Sequence, residues 1–259
     1  MRELKLGYIG LGNQGAPMAK RLVGWPGGLT VFDVRTESMT PLAELGASLA
    51  DSVADVAAAD VISVTVLTDA QVRDVVAELA EHAKPGTVIA IHSTIEPDTA
   101  AELAEALRPK GIHVVDAPVS GGAGAAGKGE LAVMVGADDE AYERVKPVFK
   151  QWASMVVRAG EPGAGTRMKL ARNMLTFIGF AAACEAQKLA AASGIENCRS
   201  SVGWCATATP RVAVRAPSWF ATTPCHCPPT TSCTTCSCTP AGWPRRICGW
   251  PSDLVRLPG

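Results

Sequence analysis

Most of this 259-residue chain lacks the features that would point to cysteine chemistry, a charged partner or a membrane. Only Cys184 precedes Asn197, so no cysteine framework organises that long stretch. The 24 basic and 25 acidic residues nearly cancel, for a net charge of −1, and leave no electrostatic footprint for nucleic acid or an anionic membrane. No segment reaches the roughly 18 consecutive apolar residues of a membrane span, and Met1 to Lys5 runs straight into an apolar strand. The expected address is the cytoplasm. What is present is core-forming material: 47% of residues are hydrophobic, enough for one large domain or two smaller ones.

Beyond Asn197 the deficits change. That segment has no lysine, and its one acidic residue is Asp253. It holds eight of the nine cysteines, nine of the eighteen prolines and four of the six tryptophans. It shows neither a helical period nor strand alternation, and its composition is that of a GC-rich gene read out of frame. A zinc site on Cys225, Cys227, Cys233, Cys236 and Cys238 is the functional alternative, but only Cys233 and Cys236 have the paired spacing of zinc ligands. The expectation is therefore an aberrant tail over 196–259 and no metal.

From residue 4 to about 157, short Val- and Ile-rich runs alternate with Ala-, Leu- and Glu-rich stretches of helical period, the pattern of a parallel sheet wrapped by helices. Seven strands are predicted, in LKLGYIG, LTVFDV, DVISVTVL, TVIAIHS, IHVVDAP, LAVMVG and SMVVRAG. Helices are predicted in DAQVRDVVAELAEHA and in PDTAAELAEALRPKG, the latter with Pro97 at its start and Gly111 past its end. Residues 163–193 read as one long helix closed by Gly194. The division is a dinucleotide-binding domain over 1–162, an interdomain helix over 163–195 and the tail.

Gly10-x-Gly12-x-x-Gly15 follows the first strand directly and opens a helix. Gly10 permits the tight turn, Gly12 lets backbone approach a pyrophosphate, and Gly15 allows close packing of helix on strand. Asp33 ends the next strand at about the spacing of a ribose-binding acid, which favours NAD over NADP, while Arg35 two residues later keeps NADP open. The segment from Val115 to Ala137 places Ser120, Gly121 and Gly122 just past a strand, where a hydroxyl and two uncluttered amides suit a small carboxylate; a plain strand connection is the equal alternative. In GAGTRMKLARNML, a residue every 100° puts Thr166, Lys169, Asn173 and Thr176 in one polar stripe opposite Leu170, Met174, Phe177, Ile178 and Ala181.

Taken together, GLGNQGAPMA, the Ser93–Ile95 triplet STI, DAPVSGG and GAGTRMKLARN stand in an order and spacing that resembles the β-hydroxyacid dehydrogenase family, of the 3-hydroxyisobutyrate dehydrogenase type, over residues 4 to about 195. The resemblance implies a Rossmann-type doubly wound α/β sheet, then a long helix leading into an all-helical domain that completes the cleft and carries most of a homo-oligomer interface. No match to that domain occurs in 197–259. It implies that Gly10, Leu11, Gly12, Asn13, Gln14, Gly15, Asp33, Leu67, Thr68 and Thr94 line the cofactor, Thr68 standing where a proline is common. It further implies that Ser120, Gly121 and Gly122 hold the substrate carboxylate, that Lys169 is catalytic and that Asn173 assists. The polar stripe then faces the cleft between cofactor and substrate.

Oxidising a hydroxy acid removes a hydride and a proton, and an amine partly desolvated beside an apolar helix is tuned toward the neutral range that a general base needs. Related 6-phosphogluconate dehydrogenases resemble KMVHNGIEY where this chain has KLARNMLTF, and imine reductases of similar build usually lack the lysine. The expected function is NAD(P)-dependent oxidation of a small 3-hydroxy acid, with this chain's own activity in question. A non-catalytic NAD(P)-binding or interaction protein is the alternative.

Overall fold

The structure is a computed structural model, and it describes residues 3–194. The tail over 196–259 and the zinc alternative within it lie outside the described residues. The chain divides into two units at Asn173/Met174.

The first unit is a nine-stranded sheet with helices between its strands. In chain order its elements are β1 (Leu6–Ile9), α1 (Gly15–Lys20), β2 (Leu29–Phe32), α2 (Thr40–Ala43), β3 (Ser48–Leu49), α3 (Val53–Val56), β4 (Val61–Val64), α4 (Asp69–His82) and β5 (Val88–Ile91). There follow α5 (Pro97–Leu107), β6 (His113–Asp116), β7 (Val119–Ser120), α6 (Gly122–Lys128), β8 (Leu131–Gly136), α7 (Asp139–Phe149), β9 (Ala153–Gly160) and the start of α8 (Ala164–Ala192). The strand order is β3-β2-β1-β4-β5-β6-β8-β7, with β9 beside β8.

From β3 to β6 the strands are parallel, as the sequence pattern predicts. Beyond β6 the expectation of a parallel sheet needs correction: β8 runs antiparallel to β6 and β7, and β9 is parallel to β8. The physical reason is local. The short β7, left unpredicted because two residues carry no periodicity, continues in the direction of β6, and the glycine turn and the seven-residue α6 after it bring the chain straight back as the antiparallel β8. The two-residue β3 was unpredicted for the same reason.

Alternating side chains of the strands feed two separate cores, one on each face of the sheet. Leu6 and Tyr8 of β1 and Val88 and Ala90 of β5 join Met18, Leu22, Val145, Phe149 and Trp152 on one side. Ile9, Ile89 and Ile91 join Val72, Val76 and Leu79 on the other. This is a doubly wound arrangement, and both faces of its central strands are buried. His92 extends β5 into the first core, 5.2 Å from the rings of both Phe149 and Trp152. Burial pushes its pKa down to about 4, so the ring is neutral at pH 7. Nδ1 then donates to the Ala117 carbonyl at 2.9 Å, and Nε2 accepts from the Ser63 hydroxyl at 3.1 Å.

The long helix runs as α8, with Gly163 at φ 92° before it and Gly194 at φ 79° after it. Within its second-unit portion, Met174, Leu175, Phe177, Ile178 and Leu189 are exposed. Among the described residues no helix is long and apolar enough to cross a membrane, and no three metal-ligating side chains come together.

Candidate active site

The strand order reverses between β1 and β4, because the chain runs outward from β1 to β2 and β3 before returning to the other side of β1. Open α/β sheets bind ligands at such a switch point, beyond the carboxyl ends of the strands. The Gly10–Gly15 turn lies there. A Cβ on Gly10, whose φ is 89°, would lie 2.1 Å from the Thr65 carbonyl oxygen, and one on Gly15 would lie 2.0 Å from the Gly10 carbonyl oxygen. A Cβ on Gly12 would meet nothing within 4 Å, and its φ is not in the left-handed region. Neither packing nor backbone conformation asks for glycine at 12, so the open space above it is what the missing side chain preserves. The amides of Gly12, Asn13 and Gln14 make no hydrogen bond to the described residues, whereas the Leu11 amide donates to Asp33 at 2.7 Å. Free amides around an open glycine fit a phosphate-bearing cofactor.

Asp33 lies one residue past β2 and is buried. Its second oxygen accepts from the Arg35 amide at 2.9 Å and from Arg35 Nε at 3.3 Å. Burial pushes this carboxyl up, but the Arg35 and Leu11 amides and the Arg35 guanidinium outweigh it and hold the group below its ordinary value. Asp33 is therefore an anion whose partner Arg35 is itself half in water, a pairing the spacing of the two residues alone does not reveal.

Leu67, Thr68 and Thr94 follow β4 and β5. Leu67 is 92% exposed, and Thr94 is exposed too. Thr68 caps α4: its hydroxyl accepts from the Gln71 amide at 3.2 Å, and Gln71 Oε1 accepts from the Thr68 and Leu67 amides at 3.2 and 3.0 Å. That reciprocal box suits threonine better than the proline common there, which has no amide to give. Ser93, quoted in the sequence only as part of a triplet, ties the two loops together by accepting from the Val66 amide at 3.0 Å and donating to the Val66 carbonyl at 2.7 Å.

Ser120 ends β7 and is buried, and Gly121 and Gly122 follow it with φ 132° and 72°. A Cβ on Gly121 would press on Ala125 and Leu131 at 2.7 and 2.9 Å, while one on Gly122 would meet nothing. The Gly121 and Gly122 amides make no hydrogen bond to the described residues. Lys169, half-buried on α8, reaches this turn across 49 residues of sequence, donating from Nζ to the Ser120 hydroxyl at 2.8 Å and to the Val119 carbonyl at 2.6 Å. Burial, with the Arg172 charge adding to it, pushes the lysine down to about 8. Asn173 is half-buried one turn further on.

Lys169, Ser120, Gly121 and Gly122 thus come together. The glycine turn at β1 and Asp33 form a second group, and Leu67 and Thr94 are exposed on the loops whose neighbouring residues, Val66 and Ser93, are hydrogen-bonded to each other. Asp116 escaped the sequence reading although it lies inside the quoted DAPVSGG. It is fully buried at the end of β6, where it accepts from the Gly163 amide at 2.7 Å and the Thr166 amide at 2.6 Å. An acid ending an apolar strand, HVVD, was the available signal.

The family described as the NAD binding domain of 6-phosphogluconate dehydrogenase matches residues 5–160. An uncharacterised oxidoreductase of Mycobacterium tuberculosis is 69% identical over 195 residues, covering 74% of this chain and 66% of the relative. The NAD-dependent L-serine dehydrogenase of Pseudomonas aeruginosa is 37% identical over 196 residues, with the same two shares. Among solved structures, the 3-hydroxyisobutyrate dehydrogenase of Mycobacterium tuberculosis with L-serine is 32% identical at a TM-score of 0.74, covering 80% of this chain and 72% of that one. The chain spans about 66% of the length of these curated relatives.

Proposed function

The chain belongs to the family of the 6-phosphogluconate dehydrogenase NAD binding domain, and on that premise we propose that it moves a hydride between a small 3-hydroxy acid and NAD(P), with Lys169 as the proton-transfer group. One observation carries the reading. A lysine pushed down to about 8 lies within hydrogen-bond distance of a buried serine that opens a turn of unoccupied amides. A group of that pKa is roughly one-tenth neutral at pH 7, far more than an ordinary lysine, as a general base requires.

Each part of the site then has a task. The amides of the Gly10–Gly15 turn hold the pyrophosphate, and Asp33 accepts from a ribose hydroxyl, which favours NAD. The bound dinucleotide supplies a hydride acceptor. Ser120, Gly121 and Gly122 hold the substrate carboxylate, which places the hydroxyl near Lys169 Nζ. The amine would take the proton from the hydroxyl oxygen as hydride leaves the carbon that bears that hydroxyl, giving the carbonyl, and in the reverse direction the ammonium would return the proton to the carbonyl oxygen. Asn173, one turn along, orients the same oxygen. We assign residues 1–162 to the cofactor domain and 163–195 to the helix bearing the base. A non-catalytic dinucleotide-binding or interaction protein is the second reading.

Calorimetry with NAD and NADP, followed by an assay with 3-hydroxyisobutyrate, L-serine and glycerate, tests both readings. Binding of NAD in preference to NADP is expected, with the preference relaxed in Asp33→Asn. Equal affinities in the parent protein would remove Asp33 from its role. Where turnover is measurable, Lys169→Ala should lower it by roughly 10²–10⁴-fold, the usual loss of a general acid or base, with cofactor affinity unchanged. Near-full turnover would return Lys169 to a structural part.

A further inference from the structure

Two of the site's parts come from segments about fifty residues apart, and they meet at a second place one turn away. Asp116 closes β6 and begins the segment Asp116-Ala117-Pro118-Val119-Ser120, which supplies both acceptors of Lys169. Its two carboxylate oxygens take the Gly163 and Thr166 amides, and Thr166 lies three residues before Lys169 on α8. Asp116, Ser120, Lys169 and Thr166 therefore close a ring, with a charge-assisted contact at one end and the lysine contact at the other.

The junction has been cleared of side chains to allow this. A Cβ on Gly136 would lie 2.1 Å from Asp116 Oδ1, and one on Gly165 would lie 2.4 Å from the Met134 carbonyl oxygen and 2.7 Å from that of Asp116. The Ala117 amide, next along, is pinned to the Ile91 carbonyl at 2.7 Å, so the acid cannot drift from the sheet. Helices leave their first amides without intrahelical acceptors, and a side chain near the helix's own start usually serves them. Here the acceptor is a fully buried acid from the strand that leads into the substrate turn. Burial pushes that carboxyl up, against the pull of the Thr166 and Gly163 amides, so the placement is costly for a mere cap.

We propose that Asp116 is a positioning residue, whose carboxylate fastens the start of α8 to the Ser120 segment and thereby sets the Lys169 amine on its hydroxyl partner. This deepens the reading of Lys169 as the proton-transfer group and rests on it for its functional meaning. The geometric claim is tested without turnover, so a lysine that moves as expected in a protein with no dehydrogenase activity would fail only the functional reading.

The experiment is pulse acetylation of the full chain with acetic anhydride across pH 6 to 10, with each lysine quantified by peptide mass spectrometry. In the parent protein Lys169 should titrate near 8, and Lys20 and Lys128, both exposed, serve as internal references. Asp116→Asn keeps one acceptor oxygen but presents a donor to the other amide. Thr166→Pro removes one donor and leaves the carboxylate in place, at a position where the helix needs no amide of its own. In both variants the Lys169 midpoint should rise toward the ordinary 10.5 as water reaches the amine. Labelling at pH 8 should fall on the order of tenfold, the factor one pKa unit carries, while Lys20 and Lys128 stay put. An unchanged Lys169 midpoint in either folded variant overturns the proposal. So does loss of folding in both, because Asp116 would then hold up the whole domain rather than one amine.

Discussion

The two glycine turns use the space around their glycines differently. At the end of β1, Gly10 and Gly15 are packed against carbonyl oxygens and Gly12 stands open with an ordinary backbone. After β7, Gly121 is packed against side chains, and Gly122 stands open but with φ 72°, a conformation that favours glycine whatever surrounds it. The fold alone accounts for Gly10, Gly15, Gly121 and Gly122. Of these five, only Gly12 has no reason among the described residues. A glycine motif is thus a composite, in which some positions answer to the chain and one, under the proposed function, is left open for the dinucleotide.

Substitution at the packed positions should give the largest effect. In Gly10→Ala the new Cβ meets backbone rather than a yielding side chain, and left-handed strain adds to the clash. A loss of about 3 kcal/mol or more is expected, read as a lower midpoint in urea. A loss under about 0.5 kcal/mol, the scale of an unconstrained surface change, would mean that the turn is free to rearrange.

Gly12→Val should do the reverse. With nothing within 4 Å of its Cβ, the side chain fits the protein, and the urea midpoint should match the parent. The side chain would fill the space left for the pyrophosphate, so the NAD dissociation constant should rise about 100-fold, or about 2.7 kcal/mol. Unchanged NAD affinity would break the comparison outright, since Gly12 would then have no explanation in either fold or ligand.

The first turn was legible in the sequence because its signals are local. Three glycines at fixed spacing follow a strand, and an acid lies about twenty residues on. The parallel strands β1, β2, β4, β5 and β6 were legible for the same reason, each being a short, mostly apolar run between turn residues, whereas the two-residue β3 was not. Asp116 and the antiparallel β7 were not. The former matters through amides 47 and 50 residues away, and the latter is a two-residue strand without a period. The lysine was legible as a residue on a polar stripe, but its partners Val119 and Ser120 came from tertiary structure. The stripe's far side also ran against composition. Thr166 is fully buried, whereas Leu170 on the apolar side is 43% exposed. Periodicity identifies two faces and does not say which one is covered.

The smallest effect separates the two turns by charge, because Lys169 gives the second a titratable group beside it. Folding lowers the lysine's pKa from its ordinary value of 10.5 to about 8, with burial first and Arg172 second among the causes. Below pH 8 the amine is protonated in both the folded and unfolded states, and burying that charge costs stability. Between about 8 and 10.5 the unfolded chain holds the proton and the folded chain does not, so stability must rise with pH across that window. Lys169→Met removes the group while keeping a long, unbranched side chain. The variant's stability relative to the parent should therefore be highest below pH 8 and should decline as pH rises toward 10.5, whatever constant offset comes from losing the contacts to Val119 and Ser120. Urea unfolding of the two proteins at several pH values from 7 to 10 reads that difference directly. Parallel curves would show that the lysine titrates as it does in water, and the amine would then be no better a base beside the second turn than anywhere on the surface.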